Sequence, residues 1–445
     1  MARQVSEMAF PVRVTQGAKR AYQIGKDWYA QTLKYGEEGK HVAWCMAGIS
    51  PELLYLFDIA GAWPENFGAT CAAYQVAINF IEQAEADGYA SELCSYERNM
   101  LGYTIEYLRA GGVIPGSAPR GGLPKPTMLL TCGLICDPRI KGFQALARFW
   151  DVPMFSLDTP NPTYTTEIND PRVKKYYVEH WVNELKRLVE FLEKVTGKRY
   201  DEARLQQIMA DSLETSRLIY EIAEMRKHVP SVFCSEDYFG YIHLQLFMLG
   251  QPQVLEHFRL LRDEVKERVE KNMAVVPDEK YRICTMGIPP WYCLGVFNYM
   301  ESLGIAPAMD QVYYIGKPPS EVDLSNPLQA MAEKAWHKIT QTLSYEGIEI
   351  CPEPFTIPDN PGAWPVGQMK EWLDSYSLTG IVQFFTRSCR AVSFGQAHMR
   401  QEMSKLGVPV LVLEIDMADP RTWSDPVIKS QLNAFRDVME SAKRR

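Results

Sequence analysis

The chain has 445 residues, which at roughly 150 residues per domain suggests about three compact units, or two and an insertion. Its hydrophobic fraction of 46% and charged fraction of 23% are those of a globular protein and exclude disorder and fibrous repeats. The net charge of -8 argues against a surface for duplex nucleic acid, which needs a concentrated basic footprint.

No stretch approaches the ~20 apolar residues needed to cross a bilayer, and the first ten residues lack the pattern of a secretory signal. We therefore expect a cytoplasmic protein with no membrane contact, in a reducing compartment where stable disulfides are rare. Disulfide bonds therefore do not explain the ten cysteines. None are paired as CxxC, and most are expected to be small buried apolar residues.

The first elements in chain order are helices around one buried strand. An amphipathic helical segment is predicted over the first forty residues, followed by a short apolar strand at 41–48. Ser50 and Pro51 open the next helix, because serine is a good N-cap and proline fits the first helical position. A further helix is predicted at 72–86, and the Pro- and Gly-rich stretch 114–126 predicts a loop.

A βαβ pattern then occurs twice. The first copy consists of a strand at 127–130, a loop carrying Cys132 and Cys136, a helix at 141–150 and a strand at 152–157. The second copy consists of a strand at 380–385, a loop carrying Cys389, a helix at 395–405 and a strand at 408–414. The repetition predicts two doubly wound α/β halves.

A helical stretch separates the halves, since apolar residues from Val178 to Leu192 recur in steps of 3 and 4. The second half restarts with an apolar strand at 281–287, followed by a helix at 292–302, a loop at 306–320 and a helix near 327–345. The predicted organisation is an N-terminal helical segment (1–40), a first α/β domain (41–170), a helical insertion (171–278) and a second α/β domain (279–445).

Three cysteines are candidates for chemistry. Open α/β sheets bind ligands beyond the carboxyl ends of their strands, where Cys136 and Cys389 both lie. Cys94 immediately precedes a predicted helix start, so its thiolate would face the positive end of the helix dipole. Three convergent thiolates in a reducing compartment indicate an iron–sulfur or zinc site. Cys132 competes with Cys136 for one role, and we prefer Cys136 because its helix-start setting matches that of Cys389.

The other cysteines are expected to be structural or remain ambiguous. Cys71, Cys234, Cys284 and Cys293 lie in apolar or helical contexts and are assigned to the core. Cys45 ends a strand and stays ambiguous, and Cys351 is placed in a loop by the prolines beside it. The chain has neither GxGxxG nor GxxxxGK[ST], so any ATP hydrolysis must reside on another chain.

The segments around the three cysteines resemble those of the 2-hydroxyacyl-CoA dehydratase and benzoyl-CoA reductase family. The likeness lies in Leu-Cys-Ser-Tyr-Glu-Arg at 93–98, Ile-Cys-Asp-Pro-Arg-Ile-Lys at 135–141 and Phe-Thr-Arg-Ser-Cys at 385–389. Residues 51–54 and 61–64 resemble the family's N-terminal stretch, and the similarity extends from about residue 40 to 440.

The resemblance implies two Rossmann-like domains around a cleft that holds a [4Fe-4S] cluster. Three cysteines bind the cluster in the family, which carries over to Cys94, Cys136 and Cys389 here; the extra Cys132 departs from the simplest pattern. It also implies a homologous cluster-binding partner subunit, ATP-hydrolysing activating subunits, ferredoxin as electron donor and an acyl-CoA substrate. One-electron reduction of a thioester carbonyl would give a ketyl radical in a water-free cleft.

Within the family, the chain looks most like the larger cluster-binding subunit of ATP-dependent benzoyl-CoA reductase. The expected reaction is therefore dearomatisation of benzoyl-CoA to a cyclic diene thioester. A 2-hydroxyacyl-CoA dehydratase subunit is the first alternative, and a non-catalytic iron–sulfur electron-transfer or scaffold subunit is the second. Trp44, Trp63 and Trp291 could line an aromatic pocket, although tryptophan is more often a core residue.

Overall fold

The computed structural model describes residues 5–133, 136–160, 162, 166–341, 366–393 and 395–443. Cys351 and the end of the helix predicted near 327–345 lie outside these ranges. The first half of the chain holds β1 Val42–Cys45, β2 Ala60–Ala62, β3 Met128–Cys132 and β4 Met154–Leu157. Its helices are α1 Gln16–Glu37, α2 Pro51–Leu56, α3 Pro64–Ala73, α4 Ala77–Ala86, α5 Ser95–Arg109 and α6 Pro138–Trp150.

Four long helices follow: α7 Pro171–Thr196, α8 Glu202–Met225, α9 Ser235–Phe247 and α10 Pro252–Glu270. The second half holds β5 Tyr281–Met286, β6 Ile305–Asp310, β7 Gly380–Thr386 and β8 Val410–Ile415. Its helices are α11 Val296–Ser302, α12 Pro327–Gln341, α13 Val366–Ser375, α14 Arg390–Ser393, α15 Gln396–Lys405 and α16 Asp425–Lys443. In these described ranges no helix is both long and apolar enough to span a membrane.

Two parallel four-stranded sheets confirm the predicted α/β class. The strand order is β2-β1-β3-β4 in the first sheet and β6-β5-β7-β8 in the second, so the two halves repeat one topology. In each sheet the strand order reverses between the two central strands, β1 and β3 or β5 and β7, which is where open sheets of this kind bind ligands. The exact domain boundaries stay a prediction.

The sheets and the central helices share one continuous hydrophobic core. It contains residues of both sheets, such as Leu129 and Val382, together with Leu188 of α7 and Phe258 of α10. A smaller cluster on the second sheet includes Met286, Trp372 and Met403. The apolar stripe predicted along α7 is confirmed, because the residues from Val178 to Leu192 in that stripe are buried.

Several helix starts follow from local sequence. Ser50 caps α2 by accepting the Leu53 N–H at 3.4 Å, as its Ser-Pro sequence predicts. The helix predicted over the first forty residues is shorter, because it begins only after Thr15, whose hydroxyl accepts the Ala18 N–H at 3.1 Å. The helix predicted at 72–86 is two helices. Gln75 between them adopts a left-handed φ of 63°, which ends α3 before α4 begins.

One loop prediction was wrong, and one strand was missed. Residues 306–320 were expected to be a loop, but Ile305–Asp310 forms β6 at the edge of the second sheet. Proline at 307 argues against a central strand, yet an edge strand tolerates it because one side of its backbone needs no sheet partner. The pairing register of β5 and β6 shifts between Ile283 and Cys284, opposite this proline. The short β2, at the edge of the first sheet, was likewise not predicted.

Candidate active site

The three predicted cysteines each lie at a helix start. Cys94 is the N-cap of α5, and the backbone amide of Glu97 faces its sulfur. Cys136 follows β3 and precedes α6, where the amide of Arg139 faces its sulfur. Cys389 follows β7, with the amides of Ala391 and Val392 of α14 facing its sulfur. Backbone amides at a helix start stabilise negative charge, so at each position they offset part of the cost of burying a thiolate.

The structure brings these three thiols from both halves of the chain to one place. Burial raises the pKa of Cys94 well above its ordinary value, and the neighbouring thiols of Cys389 and Cys136 raise it further. Burial likewise raises the pKa of Cys136 to about 11, against the effect of Arg139, and Cys389 contributes to the rise. The predicted convergence of the three cysteines is therefore observed. Their role as ligands stays a prediction.

The remaining described cysteines differ from these three in exposure. Cys94, Cys136 and Cys389 are partly exposed, whereas the other described cysteines, Cys45, Cys71, Cys132, Cys234, Cys284 and Cys293, are buried. None of the nine forms a disulfide bond. The core assignment of Cys71, Cys234, Cys284 and Cys293 is confirmed, and the ambiguous Cys45 joins them.

Cys132 is the last residue of β3. Its side chain is fully buried, and its thiol donates to the carbonyl oxygen of Ala47 at 3.5 Å. Ala47 lies in the loop after β1, so this contact lies between the two central strands of the first sheet. Cys136, in contrast, is only partly buried, and the preference for it as the ligand stays a prediction.

An ion pair between the buried Arg139 and the partly buried Glu65 lies beside the thiols. Arg139, in the first turn of α6, donates from Nη2 to Glu65 Oε1 at 3.2 Å and from Nη1 to the carbonyl of Ala47 at 3.0 Å. The other oxygen of Glu65 accepts the Ala47 N–H at 2.9 Å. Burial alone would lower the pKa of Arg139, but Glu65 and the thiols of Cys136 and Cys132 raise it on balance. Arg139 is thus a fixed cation beside the cysteines.

Three aromatic side chains, those of Trp291, Tyr96 and Tyr313, lie around the cysteines. Trp291 Nε1 donates to the hydroxyl of Tyr96, and the rings of Trp291 and Tyr313 have centroids 6.3 Å apart. Burial raises the pKa of Tyr96 well above its ordinary value, as do Tyr313, Glu65 and Cys94. Burial also raises the pKa of Tyr313, with contributions from Glu65 and Cys389. Both hydroxyls therefore stay protonated at neutral pH. Trp44 and Trp63 are buried, as the core alternative predicted.

Sequence reasoning missed Glu65, Arg139, Tyr96 and Tyr313. The first three lie in or beside segments that carried the family resemblance, so their position next to the cysteine motifs was an available signal. Tyr313 gave no such signal, because it follows β6, the strand that was mistaken for a loop.

The donor set suits an iron–sulfur cluster. Within the described ranges no three His, Cys, Asp or Glu side chains stand at the spacing that holds one metal ion. A four-iron cluster is larger and takes its thiolates from points further apart than a single ion does. Three soft sulfur donors, each facing backbone amides, match its ligand preference and its need for hydrogen bonds to sulfur.

Comparison with known proteins defines the class. Residues 48–439 match the family described as 2-hydroxyglutaryl-CoA dehydratase, D-component. The chain belongs to this family, as its cysteine segments predicted. It is 26% identical over 418 residues to the (R)-phenyllactyl-CoA dehydratase alpha subunit of Clostridium sporogenes, covering 92% of each chain.

Two further relatives cover nearly the whole chain. The (R)-2-hydroxyisocaproyl-CoA dehydratase alpha subunit of Clostridioides difficile is 26% identical over 420 residues, which is 94% of both chains. A benzoyl-CoA reductase subunit of Thauera aromatica is 23% identical over 428 residues, covering 93% of this chain and 91% of its own. All three are named subunits of larger enzymes, which fits a catalytic subunit with a partner.

Proposed function

We propose that this chain is the cluster-binding alpha-type subunit of an enzyme that eliminates water from a 2-hydroxyacyl-CoA. The observation that carries the proposal is the meeting of Cys94, Cys136 and Cys389 from both halves of the chain. The family relationship supports it, because two relatives that match over more than nine-tenths of each chain are dehydratase alpha subunits. This proposal takes up the dehydratase alternative.

Cys94, Cys136 and Cys389 would hold a [4Fe-4S] cluster, with one iron left without a cysteine ligand. When bound, this group supplies single electrons of low potential and an open Lewis-acidic iron. The role of the chain's own residues is then to exclude water and to manage protons and charge. The buried aromatic residues Tyr96 and Trp291, beside the partly exposed thiols, would exclude water from them.

Glu65 is the chain's best-placed acid–base group. Elimination of water from a 2-hydroxyacyl thioester removes a proton from C3 and the hydroxyl group from C2. The Glu65 carboxylate faces Cys136, Tyr96 and Tyr313, and Arg139 together with the Ala47 N–H holds it in place. We assign proton transfer to this carboxylate, with the protonated hydroxyls of Tyr96 and Tyr313 as hydrogen-bond donors.

Benzoyl-CoA reduction is the second candidate. The specific observation in its favour is the match to the benzoyl-CoA reductase subunit over 428 residues, at 23% identity. The segment Cys-Gly-Leu-Ile-Cys-Asp at 132–137 and the stretch 170–198 also look more like the reductase's larger subunit. Both candidates share the cluster, a homologous partner subunit, ATP-hydrolysing activating subunits and a ferredoxin donor. They differ in the fate of the electron, which a dehydratase recycles and a reductase leaves in its product.

The test combines this chain with its partner subunit, the activating ATPase and a reduced electron donor under anaerobic conditions. The complex is offered benzoyl-CoA or a panel of 2-hydroxyacyl-CoA thioesters, and product and ATP hydrolysed are followed together. A dehydratase recycles its electron, so product from a 2-hydroxyacyl-CoA should keep accumulating after ATP hydrolysis stops.

A cyclic diene thioester whose formation consumes ATP at every turnover would overturn the dehydratase in favour of the reductase. Failure to convert any of these thioesters would overturn both. An acyl-CoA that leaves the cluster spectrum of this chain unchanged without the partner, although the complex turns over, would support the scaffold alternative.

A further inference from the structure

The two halves of the chain are hydrogen-bonded to each other directly beside the cysteines. The backbone N–H of Ser95 donates to the hydroxyl of Ser388 at 3.1 Å. Ser95 follows Cys94, and Ser388 precedes Cys389, so the bond joins the covalent neighbours of two thiols that are 295 positions apart in sequence. Ser95 is fully buried, which keeps water from replacing this contact.

The Ser95 N–H is one of the amides that an α-helix cannot satisfy itself. The first four N–H groups of a helix have no partner within it, and Ser95 is the first residue of α5. An N-cap side chain ordinarily accepts from the second or third amide of its helix, and the third amide, that of Glu97, faces the Cys94 sulfur, so the first amide needs another acceptor. A serine from the opposite half of the chain therefore caps α5 at its first amide.

The orientation of Ser388 is fixed by Asp416. The Ser388 hydroxyl donates to Asp416 Oδ2, and its backbone N–H lies 3.3 Å from the same oxygen. Since the hydroxyl proton is directed at Asp416, the oxygen lone pairs are left to accept from Ser95. Asp416 is buried and accepts the amides of Ala418 and Asp419 at its other oxygen, both at 3.0 Å.

A second set of contacts also joins α5 to the loop that follows β8. Arg98, one turn further along α5, has its Nη1 3.3 Å from Asp419 Oδ2 and also donates to Glu85. Arg421 joins the same two carboxylates, with Nη1 2.8 Å from Glu85 Oε2 and Nε 2.9 Å from Asp419 Oδ1. The helix that carries Cys94 is thus attached at two points to the loop that follows β8.

We propose that Ser388 is a positioning residue that sets the separation of Cys94 and Cys389 across the two halves. Its hydroxyl links the α5 start to the carboxylate of Asp416, so losing it leaves a buried amide unsatisfied and lets the two cysteine-bearing segments drift apart. The consequence for a cluster rests on the function proposed above. The positioning itself is a property of the protein chain.

The test measures the separation of the two thiols in the full chain, made free of metal under anaerobic conditions. Dibromobimane joins two nearby thiols, and mass spectrometry of the digested protein gives the yield of the Cys94–Cys389 cross-link. The Ser388→Ala substitution should lower this yield about fivefold, the effect of losing one hydrogen bond. Ser388→Thr, which keeps the hydroxyl, should restore it. Ser393→Ala is the matched control, because Ser393 Oγ donates to the Thr386 carbonyl at 2.7 Å within the second half.

Ser388→Thr and Ser388→Val form a second pair, because threonine and valine have the same shape and differ in the hydroxyl. The threonine variant should cross-link as the unchanged protein does and the valine variant as Ser388→Ala does. Equal yields in Ser388→Ala and the unchanged protein, or in the threonine and valine variants, would overturn the positioning role.

Iron content and the electron paramagnetic resonance spectrum after reconstitution separate this inference from the proposed function. Ser388→Ala should bind less iron or give an altered spectrum, and Ser388→Thr should reverse the change. An unchanged protein that cross-links efficiently but takes up no iron would overturn the cluster and leave the positioning of the thiols intact.

Discussion

Gly102 in α5 lies directly against the carbonyl oxygen of Phe80 in α4. A methyl group at Gly102 would stand 1.7 Å from that oxygen, far inside any allowed contact. The two helices can approach this closely only because Gly102 has no side chain. Since Cys94 is the N-cap of α5, the contact with α4 also helps determine where that thiol lies.

We expect Gly102→Ala to force α5 away from α4 and to lower the free energy of unfolding by about 3 kcal/mol. Urea unfolding followed by circular dichroism measures this change. Gly116→Ala is the control, because a methyl group there would meet no atom within 4 Å. Equal stability of the two variants would show that α4 and α5 tolerate a wider separation than the structure indicates.

The cysteine assignment is tested by iron analysis of anaerobically purified and reconstituted protein. Serine at Cys94, Cys136 or Cys389 should remove most of the iron, because a hydroxyl is a poor substitute for a soft thiolate ligand. Cys132→Ser should keep the iron, since a serine hydroxyl can still donate to the Ala47 carbonyl. Full iron in any one of the first three variants removes that residue from the ligand set, and loss of iron from Cys132→Ser would exchange Cys132 for Cys136.

Replacement of Glu65 by glutamine tests the acid–base assignment. Glutamine keeps the size of Glu65 and one acceptor oxygen, for either Arg139 or the Ala47 N–H, but cannot take a proton, so turnover should fall at least about 100-fold while the cluster spectrum is kept. Glu52→Gln is the matched control, because Glu52 is a buried carboxylate of the first half that also accepts hydrogen bonds, one of them from Ser212 Oγ at 2.6 Å. Unimpaired turnover of Glu65→Gln would assign the proton transfer to another group.

His257 in α10 should make the protein sensitive to acid. Burial, together with Arg20 and His243, lowers the pKa of His257 to about 3, and neither ring nitrogen has a hydrogen-bond partner among the described residues. As the pH falls below about 6.5, the unfolded chain takes up a proton at this imidazole while the folded chain does not. The free energy of unfolding that the neutral His257 contributes is therefore lost progressively from pH 6.5 towards pH 3.

The variant His257→Leu should lose about 2 kcal/mol less stability than the unchanged protein between pH 7.5 and pH 5. Unfolding in urea at the two pH values gives the difference. His398→Leu, at a half-exposed position of α15, should keep the acid sensitivity of the unchanged protein. If His257→Leu loses as much free energy of unfolding as the unchanged protein, the acid sensitivity arises elsewhere.

The central strands could be predicted from sequence because they are buried on both faces and form continuous apolar runs. β3 and β7 are of this kind, and the cysteines that follow them were located correctly. The edge strands β2 and β6 were missed because they are short or contain proline, and their pairing depends on distant neighbours. Ser388 was visible beside Cys389 in the sequence. Its contact with Ser95 depends on how the two halves meet, which no local pattern encodes.

The division of the thiols between the two halves has a consequence for biosynthesis. Cys94 and Cys136 emerge early from the ribosome, whereas Cys389 follows about 250 residues later. At ordinary rates of translation this interval lasts roughly 10 to 50 s. During that time a nascent chain exposes only two of the three sulfurs and has no Ser388 to cap α5. Only a chain whose synthesis is almost complete therefore has all three cysteines available to bind a cluster.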